Sequence, residues 1–102
     1  MMDIRTDGPR LVLSGDFDVR STMQVRSALH DHLESQDDVV VDLTAVETVD
    51  VTALRVLGAA SLQAGRTGQH LTLRGCGPAV RRMLHLSHLI RVVELEREAI
   101  SA

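Results

Sequence analysis

The chain has 102 residues, 44% of them hydrophobic and 25% charged, with a formal net charge of −3, which predicts a single globular domain over 1–102. The 11 basic residues form no run and Phe17 is the only aromatic residue, so the composition argues against direct nucleic-acid binding. No apolar stretch approaches the roughly 20 residues that cross a bilayer, and Cys76 has no partner for a disulfide; we therefore expect a cytoplasmic protein without membrane insertion.

The first predicted elements are a strand hairpin and a helix. Turn residues at 7–9 separate a short leading segment from the strand-like run RLVLSG. Ser21 or Thr22 then stands where a cap is expected. The helix that follows has apolar residues at helical spacing, namely Val25, Ala28, Leu29 and Leu33.

The middle of the chain predicts a strand, a short apolar link and a second helix. The run VVVDL at 39–43 is typical of strands that are buried on both faces. From about Ala53 the period becomes helical, with a stripe of small and apolar residues made of Leu54, Leu57, Gly58, Ser61 and Leu62. Gly65 and Gly68 are expected to end this helix.

The last third predicts strands at 70–75 and 91–96, with a helix over 77–90 that Pro78 opens. The tail at 97–102 is expected to be a frayed last turn or disordered. The whole order is therefore β-β-α-β-α-β-α-β. Strands that alternate with helices indicate an α/β fold, in which a mixed, mostly parallel sheet of four to five strands packs against three to four helices. The leading hairpin is expected to supply an antiparallel edge.

The sequence contains no motif that indicates an enzyme. Phosphate-binding loops, dinucleotide fingerprints, nucleophile elbows and zinc-binding histidine pairs are all missing from it. His30 and His32 point to different faces of a helix, and His85 and His88 share a face without a third ligand. Cys76 follows a strand with no identifiable base as partner. We therefore expect no catalytic residues, no metal and no cofactor.

Four carboxylates lie at the ends of predicted elements. Asp16 and Asp18 follow the second predicted strand, Asp42 lies near the end of the third, and Asp50 opens the second predicted helix. In an open α/β sheet, functional groups gather at the carboxyl ends of the parallel strands. These aspartates fit turns and helix caps, since Asp side chains bond to their own backbone. A recognition surface is the alternative interpretation.

The stretch VDVTALRVL at 49–57 marks the start of the second helix. Either Asp50 or Thr52 is a suitable N-cap, because its side-chain oxygen can accept a bond from an amide of the first turn. Arg55 stands where a capping box would require Glu. The residues by themselves favour a plain cap, and a phosphorylation site is the other interpretation.

Three segments resemble STAS domains, the fold named for sulfate transporters and anti-sigma factor antagonists. The run VVVDLTAVETVDVTALRVL is similar to the family's central signature, in which an Asp-Ser-Ser-Gly or Asp-Ser-Thr-Gly motif opens a helix. SGDFDVRSTMQVRSAL resembles its Gly-Glu-Leu-Asp turn and first helix, and GPAVRRMLHLSHL resembles its third helix. The likeness covers nearly the whole chain in the right order.

The resemblance implies a partner switch that regulates transcription in bacteria. In antagonists of this family, the second hydroxyl residue of the motif is phosphorylated by the anti-sigma factor, a GHKL-type serine/threonine kinase. That position falls on Thr52, while the motif's Asp falls on Asp50 and the last Asp of the turn falls on Asp18. The unphosphorylated antagonist binds the anti-sigma factor and frees the sigma factor; phosphorylation breaks the complex, and a phosphatase restores it.

Two positions depart from the motif, since Val51 replaces the first hydroxyl and Ala53 replaces the glycine. The predicted phosphorylation site is Thr52, and the predicted partner-binding residues are Asp18, Asp50, Val51, Thr52, Ala53 and Arg55. The departures leave open a Thr52 that contacts a partner without being phosphorylated. The alternative function is that of a constitutive interaction module, such as the non-catalytic STAS subunit that binds the nucleotide-binding subunit of a phospholipid-transport ABC complex.

Overall fold

The computed structural model describes residues 2–96, and its strands and helices follow the predicted order. A short 3₁₀ helix precedes α1 and another precedes β5, at Val19–Ser21 and Leu89–Arg91. The other elements are β1 (Met2–Asp7), β2 (Arg10–Phe17), α1 (Thr22–Ser35), β3 (Asp38–Val49), α2 (Val51–Arg66), β4 (His70–Arg74), α3 (Pro78–Leu86) and β5 (Glu94–Leu95). The predicted fraying of 97–102 lies outside the described residues.

The five described strands form one mixed sheet in the order β1-β2-β3-β4-β5. β1 runs antiparallel to β2, and the other neighbouring strands are parallel. This confirms the predicted fold class, with an antiparallel hairpin at one edge of a mostly parallel sheet. Strands that are consecutive in the chain and adjacent in the sheet require every crossover helix to lie on the same face, because such crossovers are right-handed.

Burial along β3 shows which face the helices cover. Val39 and Val41 are 1% and 0% exposed, whereas Val40 between them is only half-buried. The prediction that this strand is buried on both faces is therefore wrong. A β-branched run does not distinguish one covered face from two, since Val also suits the half-exposed face of a sheet.

β3 is longer than the sequence predicts and continues through the segment that was expected to be a link. β2 supplies hydrogen-bonding partners over this extension, and their pairing ends with Phe17 opposite Val49, after two register shifts. As a consequence Asp42 lies in the middle of β3, where it is opposite Val12 of β2 and Arg74 of β4.

The helices bury the predicted apolar stripes with one exception. Leu54 and Leu57 of α2 are fully buried, and Gly58 allows the 3₁₀ helix before β5 to approach, because a Cβ there would lie 3.0 Å from Leu89 Cδ2. Leu62, which was predicted to belong to the buried stripe, is 50% exposed. Its position is at the edge of the stripe, roughly 80° round the helix from Leu54 at about 100° per residue.

The chain leaves the third helix earlier than predicted. α3 begins at Pro78 as expected but ends at Leu86, and His88 adopts a left-handed conformation with φ 64°. The 3₁₀ helix Leu89–Arg91 then occupies part of the segment that was predicted as a strand. Only Glu94–Leu95 therefore pairs with β4.

Candidate functional site

The carboxyl ends of β2 and β3 bring the two motif-bearing loops together. Phe17 and Val49 are paired at the ends of these strands, and the Asp50 amide donates to the Phe17 carbonyl at 3.2 Å. Asp18 follows Phe17 in the chain, and Asp50 and the first turn of α2 follow Val49. The structure thus places two of the three segments that carried the resemblance together at the carboxyl ends of these parallel strands.

Asp50 is the N-cap of α2. Its backbone is extended (φ −117°, ψ 166°), and its Oδ1 accepts a hydrogen bond from the Ala53 amide at 2.8 Å. Its Oδ2 accepts a second bond from the Val19 amide at 3.2 Å, across 31 positions of sequence. One carboxylate therefore caps the helix and fixes the neighbouring loop to it.

Thr52 lies in the first turn of α2 with an exposed side chain. Its hydroxyl makes no hydrogen bond among residues 2–96, and the capping bond comes from Asp50 instead. The sequence left open which of these two residues caps the helix, and the structure assigns the cap to Asp50. The Thr52 hydroxyl is left facing solvent at the positive end of the helix dipole.

The remaining motif residues of α2 differ in exposure. Arg55 is exposed and Val51 is half-buried, but Ala53 is fully buried. The Ala53 methyl group therefore belongs to the hydrophobic core, which speaks against its direct contact with a partner. A glycine at this position is not required, because the backbone there is helical.

Asp18 caps the 3₁₀ helix that leads into α1. Its Oδ1 accepts from the Arg20 amide at 3.0 Å, and its Oδ2 accepts from the Arg20 guanidinium at 2.8 Å. Hydrogen bonding to the Arg20 side chain is the main reason that the pKa of Asp18 lies below its usual value. The carboxylate thus stays charged at neutral pH and above.

Ser21 occupies the N-cap position of α1 but does not cap it with its side chain. Its hydroxyl donates to the Asp16 carbonyl at 2.9 Å, and the Thr22 hydroxyl donates to the Val19 carbonyl at 2.9 Å. The expected side-chain cap is therefore absent at both predicted residues. The preceding 3₁₀ turn explains this, since both hydroxyl groups bond back to carbonyls within or before that turn.

The predicted group of aspartates is only partly assembled. Asp16 accepts from the Thr48 hydroxyl at 2.7 Å, which is the main cause of its lowered pKa, and its carboxylate also senses the charge of Asp18. Asp42, by contrast, lies in mid-sheet, 3.9 Å from the Arg10 guanidinium. Within residues 2–96, no group of three or more His, Cys, Asp or Glu side chains is arranged to hold a metal ion.

The histidines and the cysteine are dispersed. His30 is exposed and pairs with Glu34 at 3.1 Å, while His32 is 8% exposed, as expected for opposite faces of one helix. His88 does not share a helical face with His85, because α3 ends between them. Burial raises the pKa of the half-buried Cys76 thiol, which makes it a poorer nucleophile.

Two exposed apolar residues, one in the 3₁₀ helix before α1 and one in the first turn of α1, were not predicted as contact residues. Val19 and Met23 are 57% and 68% exposed, and Val19 is the residue whose amide Asp50 holds. Their sequence signal is an i, i+4 pair that lies off the buried stripe of Val25 and Leu29. This pair can be interpreted as a contact surface only after the structure shows that Val19 lies beside the start of α2.

A family model described as "Mlab, STAS domain" matches residues 1–94. An anti-sigma factor antagonist from Mycobacterium paratuberculosis has a similar structure at 24% identity, with a TM-score of 0.76 over 97% of this chain and 86% of that chain. The Bacillus cell fate determinant SpoIIAA in its phosphorylated form is 12% identical, with a TM-score of 0.67 over 96% of this chain and 93% of that chain. A sulfate transporter family protein from Wolinella succinogenes is 16% identical, with a TM-score of 0.64 over 85% of this chain and 73% of that chain.

These three proteins therefore have the same fold as this chain. No curated protein sequence is significantly similar to the chain. Within residues 2–96, none of the helices combines the length and the apolar character that a membrane crossing needs.

Proposed function

Because the chain belongs to the STAS-domain family, we propose that it is an anti-sigma factor antagonist with a phosphorylation switch at Thr52. The unphosphorylated form binds an anti-sigma factor with kinase activity and so releases the sigma factor. Phosphorylation of Thr52 ends that binding, and a phosphatase reverses it. The protein itself acts as a binding module and not as an enzyme.

The exposed Thr52 hydroxyl is the observation that carries this proposal. It lies in the first turn of α2 and has no hydrogen-bonding task within residues 2–96, since Asp50 caps the helix. A kinase can therefore approach it without breaking the fold. Phosphorylation at this position keeps the cap intact.

The surroundings of Thr52 explain how a phosphate can be tolerated and still change binding. The positive end of the α2 dipole favours the roughly −1.5 to −2 charges of a phosphate. Arg55 lies three residues further along the same face of the helix, within reach of it. A partner surface that docks beside the Asp50 and Asp18 carboxylates meets added negative charge, which repels an acidic or apolar contact.

The contact surface follows from exposure around the switch. Val19 supplies exposed apolar area next to the α2 cap, and Met23, a residue type that is common at interfaces, is exposed four residues further along the chain. Asp18 is half-buried and bonded to Arg20, so it provides a fixed negative charge beside Val19. We assign the partner contact to these groups together with Thr52 and omit Ala53, whose side chain is buried.

The test is phosphorylation by a candidate anti-sigma kinase and complex formation with it. Wild type is expected to gain the mass of one phosphate on incubation with the kinase and ATP, and Thr52→Ala is expected to gain none. Thr52→Glu should lower the affinity for the kinase by about tenfold or more, because a fixed charge replaces an uncharged contact. Intact-mass spectrometry and titration calorimetry supply the two readouts.

Thr67→Ala is the matched control, since Thr67 is an exposed threonine at the other end of α2. It should be phosphorylated and bound like wild type. A mass gain that persists in Thr52→Ala removes Thr52 as the switch. Full affinity in Thr52→Glu contradicts charge repulsion.

A second candidate is a constitutive STAS subunit of a phospholipid-transport ABC complex. The observation in favour of this candidate is the matching family model, because its description names Mlab and not an anti-sigma factor antagonist. In that case the protein co-purifies with an ABC-type ATPase subunit, and the candidate kinase adds no phosphate to Thr52. A complex with the kinase and no complex with an ATPase subunit would exclude this candidate.

A further inference from the structure

A groove of about 430 Å³ lies between α1 and α2, which pack against each other on the helix-covered side of the sheet. Its floor is apolar and combines the buried Leu29 with three half-buried residues, Leu33, Val56 and Ala60. The groove is partly open to solvent. It therefore presents a continuous apolar strip that no element among residues 2–96 covers.

The rim of this groove is positively charged. Arg26 on α1 and Arg55 on α2 are both exposed and both line it, and neither takes part in an ion pair with a residue in the described part of the chain. His30, which also lines the groove, is paired with Glu34. These two arginines form a local positive site, although the whole chain has a net charge of −3.

The two helices present the strip in a shape that fits another helix. Each connects neighbouring parallel strands, so α1 and α2 run in the same direction and their lining residues follow in the same order. The lining spans 26–33 on α1 and 55–63 on α2, which is about 10 to 12 Å at 1.5 Å per residue. That length corresponds to roughly two turns of an added helix, whose i, i+3, i+4 and i+7 residues would face the strip.

We propose that the α1–α2 groove binds an amphipathic helix of a protein partner. The helix packs its apolar stripe on Leu33, Val56 and Ala60, and its acidic residues pair with Arg26 and Arg55. Charge complementarity selects this occupant, since two arginines flank an apolar floor. The groove lies beyond the first turn of α2, and Arg55 on its rim also lies within reach of a phosphate on Thr52.

A designed helical peptide tests the proposal on the whole protein. The peptide has about 15 residues, with leucines at helical spacing and glutamates beside them, and is stapled to hold its helix. A second peptide carries lysines in place of the glutamates, and a third has the first composition in shuffled order. The acidic helix should bind about tenfold tighter than either, with NMR shift changes of the ¹⁵N-labelled protein confined to α1 and α2.

Variants locate the binding. Arg26→Glu and Arg55→Glu should each weaken the acidic peptide by about fivefold or more, and Ala59→Met should also weaken it by filling the groove. Arg82→Glu, an exposed arginine of α3, is the matched control and should bind like wild type. Circular dichroism verifies folding, and Ala59→Met keeps the test valid if an arginine variant does not fold.

Three results would overturn the proposal. The first is an acidic peptide that binds no better than the lysine or shuffled peptide. The second is a set of NMR shift changes on the open face of the sheet or on α3. The third is unchanged affinity in both arginine variants and in Ala59→Met.

Discussion

Asp50 connects two parts of the molecule through its two carboxylate oxygens. One oxygen caps α2 at the Ala53 amide, and the other accepts from the Val19 amide at the start of the 3₁₀ helix before α1. Thr52, two residues further on, takes no part in either bond. The positions of the cap and of the proposed switch are thus adjacent but separate.

Replacing Asp50 should therefore cost stability, whereas replacing Thr52 should not. Asp50→Ala is expected to lower the free energy of unfolding by about 1–2 kcal/mol, since it removes the cap and the bond to Val19. Asp50→Asn keeps an oxygen for the cap and should cost less. Thr52→Ala, the control, should stay within about 0.5 kcal/mol of wild type in urea denaturation. A larger loss for Thr52→Ala than for Asp50→Ala would contradict the assignment of the cap.

The pairing of Asp18 with Arg20 predicts a dependence on pH. The pKa of Asp18 is lower in the folded chain than its ordinary value, chiefly because of the Arg20 side chain. Its contribution to stability is therefore fully present above the unfolded pKa of about 3.9 and is lost as the pH falls through the folded pKa. Arg20→Ala should raise the Asp18 pKa, measured by ¹³C NMR titration of the carboxyl carbon, and should make the loss of stability in acid shallower.

Arg82→Ala serves as the control for this titration, because Arg82 is exposed on α3, away from Asp18. The Asp18 pKa should be the same in that variant as in wild type. If Arg20→Ala leaves the Asp18 pKa unchanged, the guanidinium is not its cause.

At the scale of whole elements, the end of α2 shows where local sequence signals were too coarse. Both Gly65 and Gly68 were expected to end the helix, but α2 continues to Arg66 and only Gly68 has a positive φ, of 75°. A Cβ at either glycine would meet nothing within 4 Å. The two positions therefore differ in backbone conformation and not in available space.

Alanine at these two glycines should have opposite effects. Gly65→Ala is expected to raise the free energy of unfolding by about 0.5–1 kcal/mol, because alanine loses less backbone entropy in a helix. Gly68→Ala should lower it by about 1 kcal/mol or more, since its left-handed backbone is strained for alanine. Thermal unfolding of the two variants beside wild type is sufficient. A stabilised Gly68→Ala would show that the turn can change its conformation.

The length of β3 was also beyond local reasoning. Its second half, which follows Asp42, has mostly exposed residues and lacks the continuous apolar run of the first half. It is extended because β2 lies beside it as far as Phe17 and offers backbone partners. A strand's length depends on its neighbour, so the predicted link became part of the sheet.

For the molecule as a whole, the sheet is covered on one face by α1, α2 and α3. This follows from the sequential strand order and from the alternating burial of β3, in which Val41 is 0% exposed and Val40 is half-buried. The opposite face carries ion pairs, such as Arg10 with Asp42 at 3.9 Å. A hydroxyl group introduced on the two faces thus meets different surroundings.

The same substitution on neighbouring residues of β3 tests this asymmetry. Val41→Thr should lower the free energy of unfolding by about 1–3 kcal/mol, because it buries a hydroxyl group among apolar side chains. Val40→Thr should change it by no more than about 0.5 kcal/mol, because the hydroxyl group can reach water. Guanidinium denaturation of both variants gives the comparison. Equal losses would indicate that the second face is covered in solution.

The sequence by itself determined the order of the elements and the fold class, and its resemblance to STAS domains pointed to the start of α2 as the candidate site. Hydrophobic period, turn residues and caps depend on neighbours within a few positions, so a single chain reveals them. The tertiary structure decided that Asp50 and not Thr52 caps α2, that Ala53 is buried, and that α1 and α2 enclose a groove. The cap bond itself is local, but the second bond of Asp50, to Val19, joins residues far apart in the chain. The burial of Ala53 and the groove likewise depend on how separate elements pack, and no local pattern encodes that geometry.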